Sequence, residues 1–252
     1  MSWNYQEFWE DLDYVKFVST VPGVADMFPI RPMSDYKPSW TKKAMEDYKK
    51  NYKQNEKGNH IALCPGIFDL FKFGWYISAW YDVYIKTEKG RPGFDWRVAS
   101  PDLMEQTKMN IIDTHGDMIT KFIPKRDGRI SNIVKINTPY NIIAPPEMKF
   151  LFLPMPYPDH YDWESSSGVL EPALSSELNV QLYWNVEEGE RFIKAGTPLM
   201  QIVPIWGKNL NMVCRDANEK EMRWIEKKPY WSSFSFSPTR NKVKELYKRY
   251  FK

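Results

Sequence analysis

The stretch Phe192 to Ile205, FIKAGTPLMQIVPI, decides the reading of the fold. Gly196, Thr197 and Pro198 are turn residues, and the run that follows is apolar except for Gln201. A short apolar run entered through a Gly/Pro turn reads as a buried strand. Outward from it, LNVQLYWNV (178–186) and MKFLFLPMPY (148–157) are the strongest strands in the chain. GWYISAWYDVYIKT (74–87) reads as a strand pair: Trp75, Ile77 and Ala79 share a face, a kink falls near Ala79 and Trp80, and Val83 and Ile85 continue. FDWRVAS adds a short strand, and DGRISNIVKINTPYNIIAPP a turn, a strand and a break at Pro139. Turn signals recur every ~8 to 12 residues, with no helix between them long enough for a parallel crossover, which indicates a sandwich or barrel.

The expected architecture is mainly β: an antiparallel β-clip or jelly-roll-like domain over 58–207, with short helical extensions at 1–57 and 208–252. In the first extension NYQEFWEDLDYVKFV suggests a short amphipathic helix, and a Lys-rich helix follows with Ser39 as its cap. In the second, a basic helix starts near Pro238, capped by Ser237 or Thr239. Its apolar positions Val243, Leu246, Tyr247 and Tyr250 give it a docking face.

Composition narrows the function classes. Lys+Arg 35 against Asp+Glu 32 leaves a net charge of +3, too balanced for a binder that gains affinity by neutralising phosphates. Glu46, Asp47 and Glu56 interrupt the lysine-rich run, so nucleic acid is not indicated. Cys64 and Cys214 have no CxxC neighbour and read as reduced thiols. The N-terminus lacks the basic and apolar regions of a secretion signal, and proline breaks every apolar run short of a membrane span. The expectation is a soluble intracellular protein. Trp 11, Tyr 15 and Phe 14 beside Pro 19 favour strands with ordered connections. Tyr157, Tyr161, Trp163, Trp184 and Trp206 cluster around the two strongest strands, as core or interface residues.

The segment 166–205 resembles the second half of the dUTPase and dCTP-deaminase-like fold. The shared features are Gly168-Val169-Leu170-Glu171, Glu177, the strand Leu178 to Val186, then Lys194, Gly196, Leu199, Met200, Gln201 and Ile202. A wider resemblance, from about 29 to 206, is to a tailed-phage and bacterial family of unknown function. It rests on Pro29, Pro32, Pro38 and Trp40; Cys64-Pro65, Asp69, Gly74-Trp75, Ile77, Trp80 and Asp82; Ala144-Pro145-Pro146; and Gly196 to Pro204. The resemblance implies a phage setting, in host cytoplasm or virion, and a homo-oligomer, by analogy a trimer with exchanged arms, in contact with other phage proteins.

Three chemistries follow. On the dUTPase resemblance, Glu171 stands where a catalytic Asp activates water beside Mg²⁺, but Leu174 and Ser175-Ser176 replace the Tyr and Arg-Gly of that site, and a phosphate-binding serine turn is missing. His115 and Asp117 form H-x-D, with His160 45 residues on, the donor set of a non-haem Fe(II)/2-oxoglutarate oxygenase. No Arg or Lys follows His160 in HYDWESSSGVLEPALSS to pair the cofactor carboxylate. Asp69, Asp82 and Trp80, with Gln201, are polar or amphipathic groups among aromatics, suited to anchoring strand ends or to orienting a ligand in a cleft. The preferred expectation is a non-catalytic structural or ligand-binding oligomer. A Mg-dependent deoxynucleotide hydrolase or deaminase-like enzyme using Glu171 and an iron oxygenase are the alternatives.

Overall fold

The computed structural model describes residues 14–51, 60–100, 102, 105, 107–205, 211–227 and 240–251. Among these the strands, numbered β1 to β15 in chain order, form four sheets. The largest runs β11 (Gly168–Leu170), β9 (Lys149–Pro154), β14 (Pro198–Ile205), β3 (Trp75–Ser78), β2 (Arg31–Pro32), with every neighbour antiparallel. A second orders β10 (Trp163–Ser165), β12 (Val180–Trp184), β7 (Ile133–Ile136) and β6 (Ile112–His115). A third joins β13 (Gly189–Ile193), β4 (Val83–Thr87) and β5 (Asp95–Val98). The fourth places β1 (Tyr14–Ser19) between β15 (Asn211–Asp216), which is parallel to it, and β8 (Tyr140–Ile143), which is antiparallel. Six short α-helices accompany them: α1 (Val24–Met27), α2 (Ser39–Asn51), α3 (Pro65–Leu70), α4 (Asp117–Thr120), α5 (Glu219–Glu226) and α6 (Arg240–Tyr250). The protein is mainly β with short helices, as the turn spacing predicts, and none of the described sheets closes into a barrel.

Alternation builds the core. In β12 the side chains of Val180, Leu182 and Trp184 are fully buried while Gln181 and Tyr183 are half-exposed, the two-residue period of a strand with one covered face. These join Phe17, Ile77, Ile85, Ile142, Phe150 and Ile202 in one continuous cluster that draws on all four sheets. The β14 strand, by contrast, buries four consecutive residues, Leu199 to Ile202, because both of its faces are covered.

At one point, just before β3, the chain meets β14 too closely for a side chain. Gly74, at φ 73°, enters β3, and a Cβ built on it would lie 2.0 Å from the carbonyl oxygen of Ile202. Gly196, at φ 89° in the turn before β14, has open space around it and owes its identity to the left-handed backbone alone. The Gln201 amide donates to the carbonyls of Leu70 and Phe73, fixing the turn that delivers Gly74 to this contact.

Several local expectations change. FIKAGTPLMQIVPI holds the end of β13 and all of β14, in two different sheets, so the Gly-Thr-Pro turn is a sheet crossing. The residues 74–87 likewise give β3 and β4 to separate sheets and not to a pair. Where a helix is expected over 4–18, residues Tyr14–Ser19 are a strand, with Val15, Phe17 and Val18 fully buried; residues 1–13 lie outside the described region. Its β-branched and aromatic residues fit a pleated surface covered on both sides better than a one-sided helix. Ser39 does not cap its own helix: Asp159 accepts from the Ser39 N–H at 2.9 Å and from its hydroxyl at 2.8 Å.

The two flanks meet in the sheet β15–β1–β8, and α5 and α6 cover its outer side through Val18, Ile143, Ala173, Trp224, Tyr247 and Phe251. The docking seam of α6 is Val243, Tyr247 and Phe251; Leu246 is 38% exposed, because a spacing of four keeps one line along the helix while a step of three drifts away from it. The Tyr247 hydroxyl donates to the Ala144 carbonyl at 2.9 Å and accepts from its N–H at 3.2 Å, and full burial drives the phenol pKa far up. The expected caps Ser237 and Thr239, and Trp206, lie outside the described residues. No described helix is long and apolar enough to cross a membrane.

Replacing Gly74 by Ala is expected to lower the unfolding free energy by about 2 kcal/mol or more, through the backbone conformation and the collision together. Gly196→Ala, which lacks the collision, is expected to cost about 1 kcal/mol. Urea unfolding of both variants, read as midpoint shifts at constant slope, checks the contrast.

Candidate functional site

The loop MPYPDHYDW, 155–163, joins β9 to β10 and shapes the cleft that is best furnished for binding. Tyr157 adopts a left-handed backbone, φ 48°, a conformation that strains a bulky residue. The loop holds this shape because it is tied at both ends. The Trp40 indole N–H donates to the Tyr157 carbonyl at 2.9 Å, Asp159 caps α2, and Arg191 donates to Asp162 at 2.9 Å.

Behind the loop lies a cavity of about 250 Å³, lined by Pro154, Met155, Pro158, Tyr161, Trp163, Pro198 and Leu199 with His160, Glu164, Ser165 and Arg126. The wall is largely ring and proline surface. Trp163 stacks on Trp184 at 5.4 Å between centroids, with the planes 9° apart, and the His160 ring lies 4.0 Å from Trp163. His160 Nδ1 is buried and has no hydrogen-bond partner among the described residues. Burial lowers the His160 pKa against the pull of Asp162 and Asp159, so the ring is held neutral. At the rim Glu164 accepts from Arg126 at 2.7 Å and from Arg129 at 3.3 Å, and the Arg129 guanidinium lies 4.5 Å over the Tyr183 ring. Burial works against the Asp159 carboxylate, but bonds from Ser39 and Trp40, with the nearby His160, bring its pKa below the ordinary value. The adjacent Tyr36 phenol is pushed up to about 12 by burial and by Asp159 and Tyr161.

The residues singled out from the sequence are scattered and mostly occupied by the fold. The Glu171 carboxylate, 7% exposed, pairs with the Lys244 ammonium of α6. Its backbone carbonyl accepts from Leu174 and Ser175 in the turn after β11. A carboxylate turned into a helix seam has no open face for a water or Mg²⁺. Asp82 accepts from the Ala195 N–H at 2.7 Å, holding the crossing before β14, and the Trp80 indole donates to the Asn137 carbonyl at 3.0 Å. Asp69 pairs with Lys72 at 2.8 Å on exposed surface, and Gln201, 2% exposed, is spent on the turn at 70–73.

His115 ends β6 and His160 precedes β10, the two opposite edges of one four-stranded sheet. Three strand spacings separate those edges, ~14 Å, against the ~2 Å an imidazole nitrogen keeps from a metal. The two imidazoles do not fit one iron. Asp117 opens α4, and its side chain lies outside the described set. Among the described residues no three His, Cys, Asp or Glu side chains gather as a metal site requires.

Of the residues marked from the sequence, His160, Tyr161 and Trp163 line the cavity, and Tyr157 shapes its loop. Arg126 and Glu164 carry no local motif. Their ion pair across 38 positions is the signal that only the fold supplies. What the fold and the cavity define is a mainly β protein with an aromatic-walled recess beside a tied loop. Compared with known protein families, curated proteins and solved structures, the chain matches none.

Because the His160 pKa is lowered in the folded state, the unfolded chain binds more protons between that value and the ordinary 6.5. Stability from this group is complete above pH 6.5 and declines as pH falls through the window. His160→Phe is expected to flatten the pH dependence of the melting temperature there; an unchanged slope would count against a neutral His160. For Glu171 and Lys244, a double-mutant cycle with Glu171→Gln and Lys244→Met is expected to give a coupling above about 1 kcal/mol in urea unfolding.

Proposed function

We propose that this chain is a non-catalytic binding protein that takes an aromatic group into the His160 cavity, and that it works as an assembled component of the phage type. The observation that carries the reading is the cavity itself: ring and proline walls, a buried His160 Nδ1 without a hydrogen-bond partner among the described residues, and a rim fixed by the Arg126–Glu164 pair. Recesses built mainly of apolar surface with few placed polar groups suit ligand binding. A volume of about 250 Å³ accommodates a single substituted ring, since an apolar cavity of ~150 Å³ holds benzene. The structural duties of Glu171, Gln201 and Asp82 support a binding rather than a hydrolytic reading, because the groups a hydrolase needs are engaged in holding turns and helices. The phage setting rests on the resemblance of the segments from 29 to 206.

Phenol offers the cavity a ring and a hydroxyl for His160, and its titration is expected to quench tryptophan emission saturably at micromolar protein. His160→Ala is expected to weaken the fit about fivefold, the loss of one ordinary hydrogen bond. Pyrophosphate release from deoxyuridine triphosphate with Mg²⁺, abolished by Glu171→Gln, would overturn the non-catalytic reading.

A further inference from the structure

At the mouth of the cavity the charges do not balance. Glu164, on β10, lines the cavity, and two guanidiniums share its carboxylate: Arg126 donates to it at 2.7 Å and Arg129 at 3.3 Å. One acid between two arginines leaves a positive charge over. Arg129 neutralises the acid from inside the fold: its side chain is 8% exposed, donates to the Asn185 side-chain oxygen at 2.8 Å and lies over the Tyr183 ring. Burial lowers the Arg129 pKa, and of the neighbouring charges Glu164 raises it while Arg126 lowers it, so the two guanidiniums repel each other across the shared acid. Arg126, 69% exposed, is a lining residue of the cavity and carries the surplus. Its Nη1 serves Glu164, and its Nε and Nη2 have no hydrogen-bond partner among the described residues. The other acids of the loop are engaged elsewhere: Asp162 pairs with Arg191 at 2.9 Å, and both oxygens of Asp159 accept from Ser39.

We infer that the ligand of the His160 cavity is an aromatic carboxylate, with its ring against Trp163, Tyr161 and Pro158 and its carboxylate on Arg126. This rests on the reading of the cavity as a site for an aromatic group, and adds the charge that the ligand brings. The Nε–Nη2 edge of a guanidinium presents two parallel N–H donors at the spacing of two carboxylate oxygens, the pairing that suits arginine to planar acids. Size agrees. The cavity of about 250 Å³ exceeds the ~150 Å³ that holds benzene by the room a small substituent needs at the mouth. The surplus also selects among charged rings. A carboxylate matches one spare positive charge, whereas a phosphate ester, with ~1.5 to 2 negative charges at neutral pH, sets its excess against Glu164. An aromatic ammonium meets the guanidinium with a like charge, and a neutral ring fills the walls but leaves Arg126 to water.

Benzoate, benzamide and benzamidine share one planar shape and differ in charge, as anion, neutral amide and cation, so their relative binding reads the charge alone. The full chain can be titrated with each to ~10 mM, a range suited to ligands this small, with the tryptophan indole signals followed by two-dimensional NMR. Benzoate is expected to bind about fivefold more tightly than benzamide, the worth of one ion pair at an exposed rim, and benzamidine more weakly than either. In Arg126→Gln, a change at an exposed position that is expected to leave the melting temperature unaltered, benzoate and benzamide are expected to bind equally. Arg126→Lys, which keeps the charge and loses the planar edge, is expected to restore only part of the preference. Equal binding of benzoate and benzamide to the native chain, or a benzoate preference that survives in Arg126→Gln, would overturn the inference. Phenol separates the two readings: phenol and benzamide binding without a preference for benzoate leaves the aromatic site standing and removes its anionic ligand, and a chain that binds none of the four compounds removes both.

Discussion

The close contact between Gly74 and Ile202 is the constraint on which the rest of the architecture depends. With Gly74, the residue that leads into β3, lying so near the Ile202 carbonyl that no Cβ fits, the entry of β3 beside β14 is fixed at the middle of the five-stranded sheet. From that centre β9 pairs on the other side of β14, and β9 leads directly into the loop at 155–163. Gln201 reinforces the same point, since its amide satisfies two carbonyls of the turn that brings Gly74 in. A buried side-chain amide is costly unless bonded, so the residue that interrupts an apolar strand is held to one conformation by its partners. The cavity follows from this arrangement: Pro198 and Leu199 at the start of β14 form one wall, and the loop after β9 forms the other.

Polar residues in this protein do mostly mechanical work. Asp82 holds the crossing between two sheets, Trp80 anchors to the Asn137 carbonyl, Tyr140 donates to the Phe28 carbonyl at 2.7 Å, and Glu171 meets Lys244 beneath α6. These are long-range ties that compensate for short strands, which alone would bury too little to fix their relative positions. His160 is the exception among them, half-buried with an unpaired nitrogen beside a stacked tryptophan pair, and the recess around it takes its character from that contrast.

The legible part of the fold was the period. Alternation in LNVQLYWNV and the apolar run after Gly196 marked β12 and β14 correctly, and the spacing of turns indicated antiparallel sheets with short helices. Sheet membership was not legible. Nothing local distinguishes a turn that joins two paired strands from one that carries the chain between sheets, and Gly196-Thr197-Pro198 is the second kind. The strand at 14–19 is not legible locally, because its parallel partner β15 lies some two hundred positions away in the chain. For the site, His160, Tyr161 and Trp163 stood out as residue types, but their role depended on Arg126, Pro198 and Leu199, which arrive from other strands.

By itself the sequence determined the strand-rich class, the buried positions of β12 and β14, and the presence of a docked C-terminal helix, because these follow from periodicities of two and about four residues that are written locally. Tertiary structure decided which strands share a sheet, that Glu171 faces a lysine, that His115 and His160 stand on opposite edges, and that Phe122 is left outside. Those outcomes depend on contacts between distant positions, and a residue's chemistry is set by what the fold brings beside it.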